Sequence, residues 1–163
     1  MDWNLITDII LVLAFLTLGG FGILFIYQLV TRKSIKKVDK QLILAFIPLI
    51  LTAICYIVFD KFIVLNTRPN GSGEPSFPSS HVMAVATIFL LVSIALPKYI
   101  KSKAVLISLW VLMAALVALT AVGRVLANMH WVSDVLGALG FSAIFGVIYF
   151  FLVKRLSRES RDH

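Results

Sequence analysis

Apolar residues run through the chain in five long blocks: Leu5 to Val30, Leu42 to Phe59, Val82 to Leu96, Ala104 to Val122 and Val135 to Val153. Charge, glycine, proline and serine collect in the short stretches between them. At about 1.5 Å per helical residue, roughly 20 residues cross a ~30 Å hydrocarbon layer. The pattern therefore predicts an all-α membrane bundle with five spans, approximately 5–30, 42–59, 82–96, 104–122 and 135–153. The third block has only fifteen residues, which predicts that the polar residues before it dip below the lipid headgroups. Within the spans, Gly19, Gly20 and Gly22 predict close helix approach, as do Gly137 and Gly140 at the start of the fifth. Pro48 predicts a kink in the second.

Composition agrees with this reading. Of 163 residues, 60% are hydrophobic and 14% charged, more apolar surface than a soluble domain of this size can bury. The expected organisation is one membrane-embedded domain over 1–163. The single cysteine, Cys55, lies in an apolar run and reads as packing. The first block lacks a basic leader and a small-residue cleavage pattern, so it is expected to remain as a span. Segments 31–41, 97–103 and the tail after Val153 hold twelve of the fifteen Lys and Arg residues. By the positive-inside rule these face the cytoplasm, which puts the N-terminus outside and the C-terminus inside a multi-pass protein of the cell membrane. Segments 60–81 and 123–134 then share the outer face. The net charge of +7 is accounted for by inner loops facing anionic lipid, and no nucleic-acid partner is needed. The basic tail is expected to fray and His163 to carry no role.

Those two outer segments hold the candidate chemistry. In GRVLANMHWVSD, five residues separate Arg124 from His130 and three separate His130 from Asp134. If the chain is helical from the histidine onward, Asp134 lies one turn away and can orient and charge-stabilise the imidazole. That arrangement makes a nucleophile, with Arg124 as a phosphate clamp; the same residues would also suit a polar loop between spans. Lys61 precedes Arg68 by seven residues, about two helical turns, so both cations can project from one face. Interfacial snorkelling is the other reading for Lys61. Pro78-Ser79-Ser80-His81 reads as a helix start, with Ser79 or Ser80 as cap. The free N–H groups of that turn, at the positive end of the helix dipole, form an anion site with His81 at its mouth. A phosphoryl group needs such a set: fixed positive donors, an in-line nucleophile and an acid for the leaving oxygen.

The pattern Lys61-x6-Arg68-Pro69, then Pro78-Ser79-Ser80-His81, then Arg124-x5-His130-x3-Asp134 resembles the three-part signature of the type 2 phosphatidic acid phosphatase (lipid phosphate phosphatase) superfamily. The resemblance covers residues 61 to 134. It implies a phosphatase without metal or other cofactor that works through a phosphohistidine. His130 would be the nucleophile, oriented by Asp134; His81 would be the general acid; Lys61, Arg68, Ser79, Ser80 and Arg124 would hold the phosphoryl group. Two positions depart from the family pattern: Ser80 stands where glycine usually precedes the histidine, and Gly123 where serine usually precedes the arginine. Many members have six spans, against the five counted here.

Only eight residues lie between Pro69 and Pro78, leaving little room for a headgroup domain outside the membrane. A membrane-anchored lipid phosphate reaching the site sideways from the outer leaflet fits this best. By analogy with small bacterial relatives, undecaprenyl diphosphate ranks first, then phosphatidylglycerol phosphate and phosphatidic acid, then lipid A phosphates. Related soluble haloperoxidases hold vanadate with a similar set, but five spans argue against that chemistry. A small anion transporter or a non-catalytic scaffold is the rival from another class. A transporter would need polar groups at the bilayer midplane, and the spans are nearly free of them.

Overall fold

The computed structural model describes the backbone of residues 1–159 and side chains through Leu156. Arg161 and His163 of the basic tail lie outside the described residues. Five helical stretches are long and apolar enough to cross a membrane: Trp3–Arg32, Lys40–Phe62, Ser80–Lys98, Lys103–Leu126 and Val132–Leu156. Among the described residues the only extended pairing is an isolated bridge between Thr67 and Pro75.

Helix α1 (Trp3–Arg32) starts at Asp2, whose carboxylate accepts from the Leu5 N–H at 3.1 Å, and stops at Lys33, which turns left-handed at φ 51°. The second span is broken in two. Its first piece, α2 (Lys40–Leu44), meets α3 (Phe46–Ile57) at Ala45. Pro48 accounts for the break, because its ring replaces the N–H that would bond the carbonyl of residue 44 and crowds that carbonyl. Beyond Ile57 the helix widens into a π turn over Val58–Phe62, which carries Asp60 and Lys61 and then ends. Arg68 lies past that end. The expectation that Lys61 and Arg68 share a helical face is therefore wrong, because the widened turn releases the chain into a loop before the register reaches the arginine.

Helix α4 (Ser80–Ala95) is the axis of the bundle, with α1, α3, α5 (Lys103–Leu126) and α6 (Val132–Glu159) packed around it. Of its most apolar stretch 56% is buried, against 11% for α1, so this span is the one most enclosed by its neighbours. Val85, Ile88, Phe89 and Val92 pack against Ile10 and Ala14 of α1. On its other side Val82 and Met83 meet Val135, Ala138 and Phe145 of α6. A thread of hydroxyls crosses this apolar interior. Thr52 donates to Thr87 at 3.3 Å, Thr87 to Ser142 at 3.1 Å, and Ser142 to backbone carbonyls of its own helix and α4. Such contacts join helices where hydrophobic burial alone gives no preference for protein over lipid.

The glycines divide in two. A Cβ at Gly137 would sit 2.3 Å from the Phe77 ring, and one at Gly123 would sit 2.7 Å from Thr7 Cγ2, so both positions are close approaches. At Gly19, Gly20, Gly22 and Gly140 a Cβ would meet nothing within 4 Å, so the tight packing expected there is absent.

At the end of the bundle away from the candidate chemistry, Asp39 gathers four partners. Gln28 and Tyr99 donate to it at 2.9 and 3.0 Å, and Arg32 and Lys98 pair with it at 3.1 and 2.8 Å. Burial raises its pKa, but these hydrogen bonds and the Lys98 charge outweigh burial and hold it at about 2. This cluster ties the ends of α1 and α4 together. At the opposite end the segment 63–79 folds over the α5–α6 turn.

Candidate active site

The cover segment is shaped by its own backbone. Arg68 N–H bonds the Glu74 carbonyl at 3.0 Å, Ser76 N–H bonds the Asn66 carbonyl at 2.9 Å, and Gly71 and Gly73 take φ of 78° and 75° between them. Those positive angles suit glycine, which has no Cβ to oppose them. The Trp131 indole N–H donates to the Thr67 carbonyl at 2.9 Å and Ser79 N–H to the Asp134 carbonyl at 3.1 Å, so the two segments predicted to share a face are bonded to each other.

His130 lies in the bend between α5 and α6 and not in a helix, because α6 begins only at Val132. Its Nδ1 is 2.9 Å from the Ser76 backbone carbonyl. A carbonyl can only accept, so Nδ1 carries the proton and a neutral ring presents its lone pair at Nε2. Nε2 is buried and has no hydrogen-bond partner. Asp134 Oδ2 stands 3.8 Å from Nδ1, close enough for its charge to act on the ring but too far for a hydrogen bond. The carboxylate acts one step back. It is fully buried and accepts from the Trp131 N–H at 2.8 Å, from Asn66 at 3.3 Å and from the Ser76 hydroxyl. Asp134 thus fixes Ser76, and the Ser76 carbonyl fixes the ring.

Burial pushes the His130 pKa down to about 4, helped by the charges of Arg124 and Arg68 and opposed by the Ser76 bond and the Asp134 charge. The ring is neutral at pH 7. Both guanidinium charges act on the ring, although they come from different elements. Arg124, on the last turn of α5, is 3% exposed and donates to Asn4 and Thr7 of α1, each at 3.4 Å. Gly123 makes this approach possible. The serine usual at that position would collide with Thr7, whose hydroxyl serves Arg124 instead.

The sequence motifs do not include Asp8 of α1, yet it contacts both His81 and Arg124. Its Oδ1 is 2.9 Å from His81 Nε2 and 3.8 Å from Arg124. The signal was present in the sequence: a lone carboxylate inside an otherwise apolar span is costly unless it has a partner or a function. Ser76 gave no comparable signal, because its backbone carbonyl makes the decisive contact.

A small cavity of about 50 Å³ is lined by Tyr56, Asp60, Arg68, Ser76, Ser80 and His130. Ser79 occupies the N-cap position of α4 but makes no capping bond; its hydroxyl is wholly buried and unpaired. Arg68 spends one terminal nitrogen on Glu74 at 2.8 Å and keeps Nε buried and unpaired. Lys61 stays apart. Its ammonium pairs with Asp60 at 2.7 Å, its side chain is 70% exposed, and it does not line the cavity, so a direct phosphate contact is not what this geometry provides. Among the described residues, five buried side-chain N or O atoms lack a hydrogen-bond partner, and four belong to Arg68, Ser79, Arg124 and His130. Buried polar atoms are rarely left unpaired, and these are three donors and one lone pair. Of the four, Arg68 and His130 line the cavity while Ser79 and Arg124 do not, and the chemistry of the set suits a tetrahedral oxyanion attacked by an imidazole. Among the described residues there is no cluster of three or more His, Cys, Asp or Glu that could hold a metal ion.

Comparison with known proteins finds a structural neighbour for nearly all of the chain. A crystal structure described as the first transmembrane PAP2 type phosphatidylglycerolphosphate phosphatase from Bacillus subtilis superposes with a TM-score of 0.69. The two are 23% identical over 98% of this chain and 79% of that one, which establishes a shared fold. No curated protein matches. The sequence profile of the PAP2 superfamily matches residues 55–158, well over half the chain and every predicted site residue. With the three motifs, the bundle and this match in agreement, the chain belongs to the PAP2 superfamily as a membrane phosphatase with five spans.

Proposed function

We propose that the protein hydrolyses the phosphate or diphosphate of a membrane-anchored lipid through a phosphohistidine on His130. The observation that carries this reading is the set of unpaired buried atoms: two guanidinium Nε groups, the Ser79 hydroxyl and His130 Nε2. His130 Nε2 attacks phosphorus while the bond to the leaving oxygen breaks, and Arg68, Arg124, Ser79 and Ser80 hold the phosphoryl oxygens. His81 gives the leaving oxygen its proton, and Asp8 orients the ring and stabilises its charged form. Water then attacks the phosphohistidine, returning neutral His130 and releasing inorganic phosphate. From a diphosphate the other product is the lipid monophosphate. Lys61 contributes only through its field at the rim.

No metal is assigned a role, since the arginines meet the phosphoryl charge. The distribution of basic residues supports a site on the extracytoplasmic side. Undecaprenyl diphosphate is the first-ranked substrate and phosphatidylglycerol phosphate the second, the latter in line with what the Bacillus subtilis neighbour is described as acting on.

The test is phosphate release by the purified protein from a panel of lipid mono- and diphosphates, with and without EDTA. Release unaffected by the chelator is expected. Loss of activity in EDTA with recovery on adding magnesium would contradict the metal-free route, and no release from any lipid would remove the phosphatase reading.

A further inference from the structure

Four of the five buried side-chain atoms without a hydrogen-bond partner belong to residues of the candidate active site. The fifth, Oε1 of Gln41, belongs to the opposite end of the bundle, where Gln41 lines a cavity of about 440 Å³ between the start of α2, the turn after α4 and the last part of α6. The lining is of two kinds. Leu44, Val153 and Leu156 contribute apolar surface, while Lys36, Lys40 and Lys98 bring positive charge. Asp39, the only acid among the lining residues, is already held by Lys98 and Arg32. Lys36 and Lys40 are exposed and have no ion-pair partner among the described residues. The cavity thus offers two uncompensated cations, one acceptor lacking a donor, and apolar surface. It does so where three spans end, at Lys40, Lys98 and Leu156, the level at which helices leave the hydrocarbon for the headgroups.

The chain is weakly braced at this place. Helix α2 has five residues and is cut off from α3 at Ala45, too short a piece to hold itself by its own hydrogen bonds. It is held to α6 by the packing of Leu44 near Tyr149 and Val153 and by the Tyr149 hydroxyl, which donates to the Gln41 carbonyl at 3.0 Å.

We propose that this cavity binds one phospholipid with an anionic, hydroxyl-bearing headgroup, drawn from the leaflet at the end of the bundle away from His130, and that the lipid braces α2 against α6. Its phosphate meets the Lys36 and Lys40 ammonium groups, a headgroup hydroxyl donates to Gln41 Oε1, and the first carbons of an acyl chain lie along Leu44 and Leu156. A free inorganic anion would use the lysines and leave the apolar side bare.

The experiment follows thermal unfolding of the full chain in an uncharged detergent as dioctanoyl phosphatidylglycerol, phosphatidylmethanol, phosphatidylcholine or inorganic phosphate is added. Phosphatidylmethanol has the charge of phosphatidylglycerol without its hydroxyls. Wild type is compared with Lys36→Gln/Lys40→Gln and with Lys101→Gln/Lys103→Gln, which removes the same charge from exposed positions outside the cavity. Wild type should gain about 5 °C or more from phosphatidylglycerol at about 100 times its Kd. Phosphatidylmethanol should bind several-fold more weakly, for want of the hydroxyl, and phosphatidylcholine and phosphate should have no effect. Without lipid, Lys36→Gln/Lys40→Gln should melt with wild type, since both lysines are exposed. It should bind phosphatidylglycerol about 30-fold more weakly, about fivefold for each lysine. Lys101→Gln/Lys103→Gln should bind as wild type does. Equal weakening in both variants would show diffuse attraction to anionic lipid, and unchanged binding in Lys36→Gln/Lys40→Gln would place the lipid elsewhere; either overturns the proposal. So would an equal response to phosphatidylmethanol, a shift with phosphate alone, or no shift with phosphatidylglycerol. The readout is binding and needs no turnover, so it stands or falls separately from the phosphatase reading.

Discussion

Replacing His130 by alanine should abolish lipid phosphate release, a fall in kcat of about 10⁴-fold or more, as expected when the group forming the covalent intermediate is lost. The structure makes this residue hard to substitute functionally. Its Nδ1–H is committed to the Ser76 carbonyl at 2.9 Å and its Nε2 is a buried lone pair without a partner. A pH signature accompanies the prediction. The folded pKa of about 4 lies below the ~6.5 of an unfolded histidine, so the unfolded chain takes up a proton first as pH falls. The stability tied to this residue is present above about pH 6.5 and is lost as pH drops through about 4. His130→Gln should flatten that slope in thermal unfolding between pH 7 and 4 while still abolishing turnover. Turnover near wild type in either variant would show that another group carries the chemistry.

The second large effect is expected at Asp134. Replacing it with asparagine keeps the shape but removes the charge and turns one acceptor into a donor. In the native site that carboxylate accepts from Trp131 N–H, Asn66 and the Ser76 hydroxyl in a fully buried setting. At least one of these donors would then face another donor, at a cost of about 1–3 kcal/mol in stability. Ser76 would no longer be fixed, and through its carbonyl neither would the imidazole. A fall in kcat of roughly 10³–10⁴-fold follows by analogy with carboxylate-to-amide changes behind a catalytic histidine. A small change in KM would fit a residue that never touches substrate. A kcat within a few-fold of wild type would mean that the Ser76 carbonyl positions the ring without help.

What the sequence made readable follows from what kind of signal each feature leaves. The five spans were readable because lipid demands long apolar runs, and only their ends moved, by a few residues. Arg68, Ser79, Ser80, His81, Arg124, His130 and Asp134 were readable as polar groups beside those runs, and the cover segment brings Arg68, Ser80 and His130 to one cavity. Lys61 was placed by assuming a regular helix through Arg68, which the π turn at Val58–Phe62 interrupts. The same kind of assumption put His130 on α6, one turn from Asp134, where a bend and a serine carbonyl intervene. Asp8 leaves a fainter mark, a single carboxylate inside an apolar span and apart from the three motifs. The glycines of α1 were misread because small residues permit close packing without requiring it; only the path of α3 decides that Gly22 faces a groove.

The central claim is a covalent phosphoryl group on the ring of residue 130. The direct measurement is to mix the protein with a lipid diphosphate labelled in its terminal phosphate, quench within one turnover, and map the bound label. The expected result is label on His130 that is stable in base, lost in acid and absent from His130→Ala. Rapid release of labelled phosphate with no labelled protein at any quench time would contradict it and point to direct attack by water.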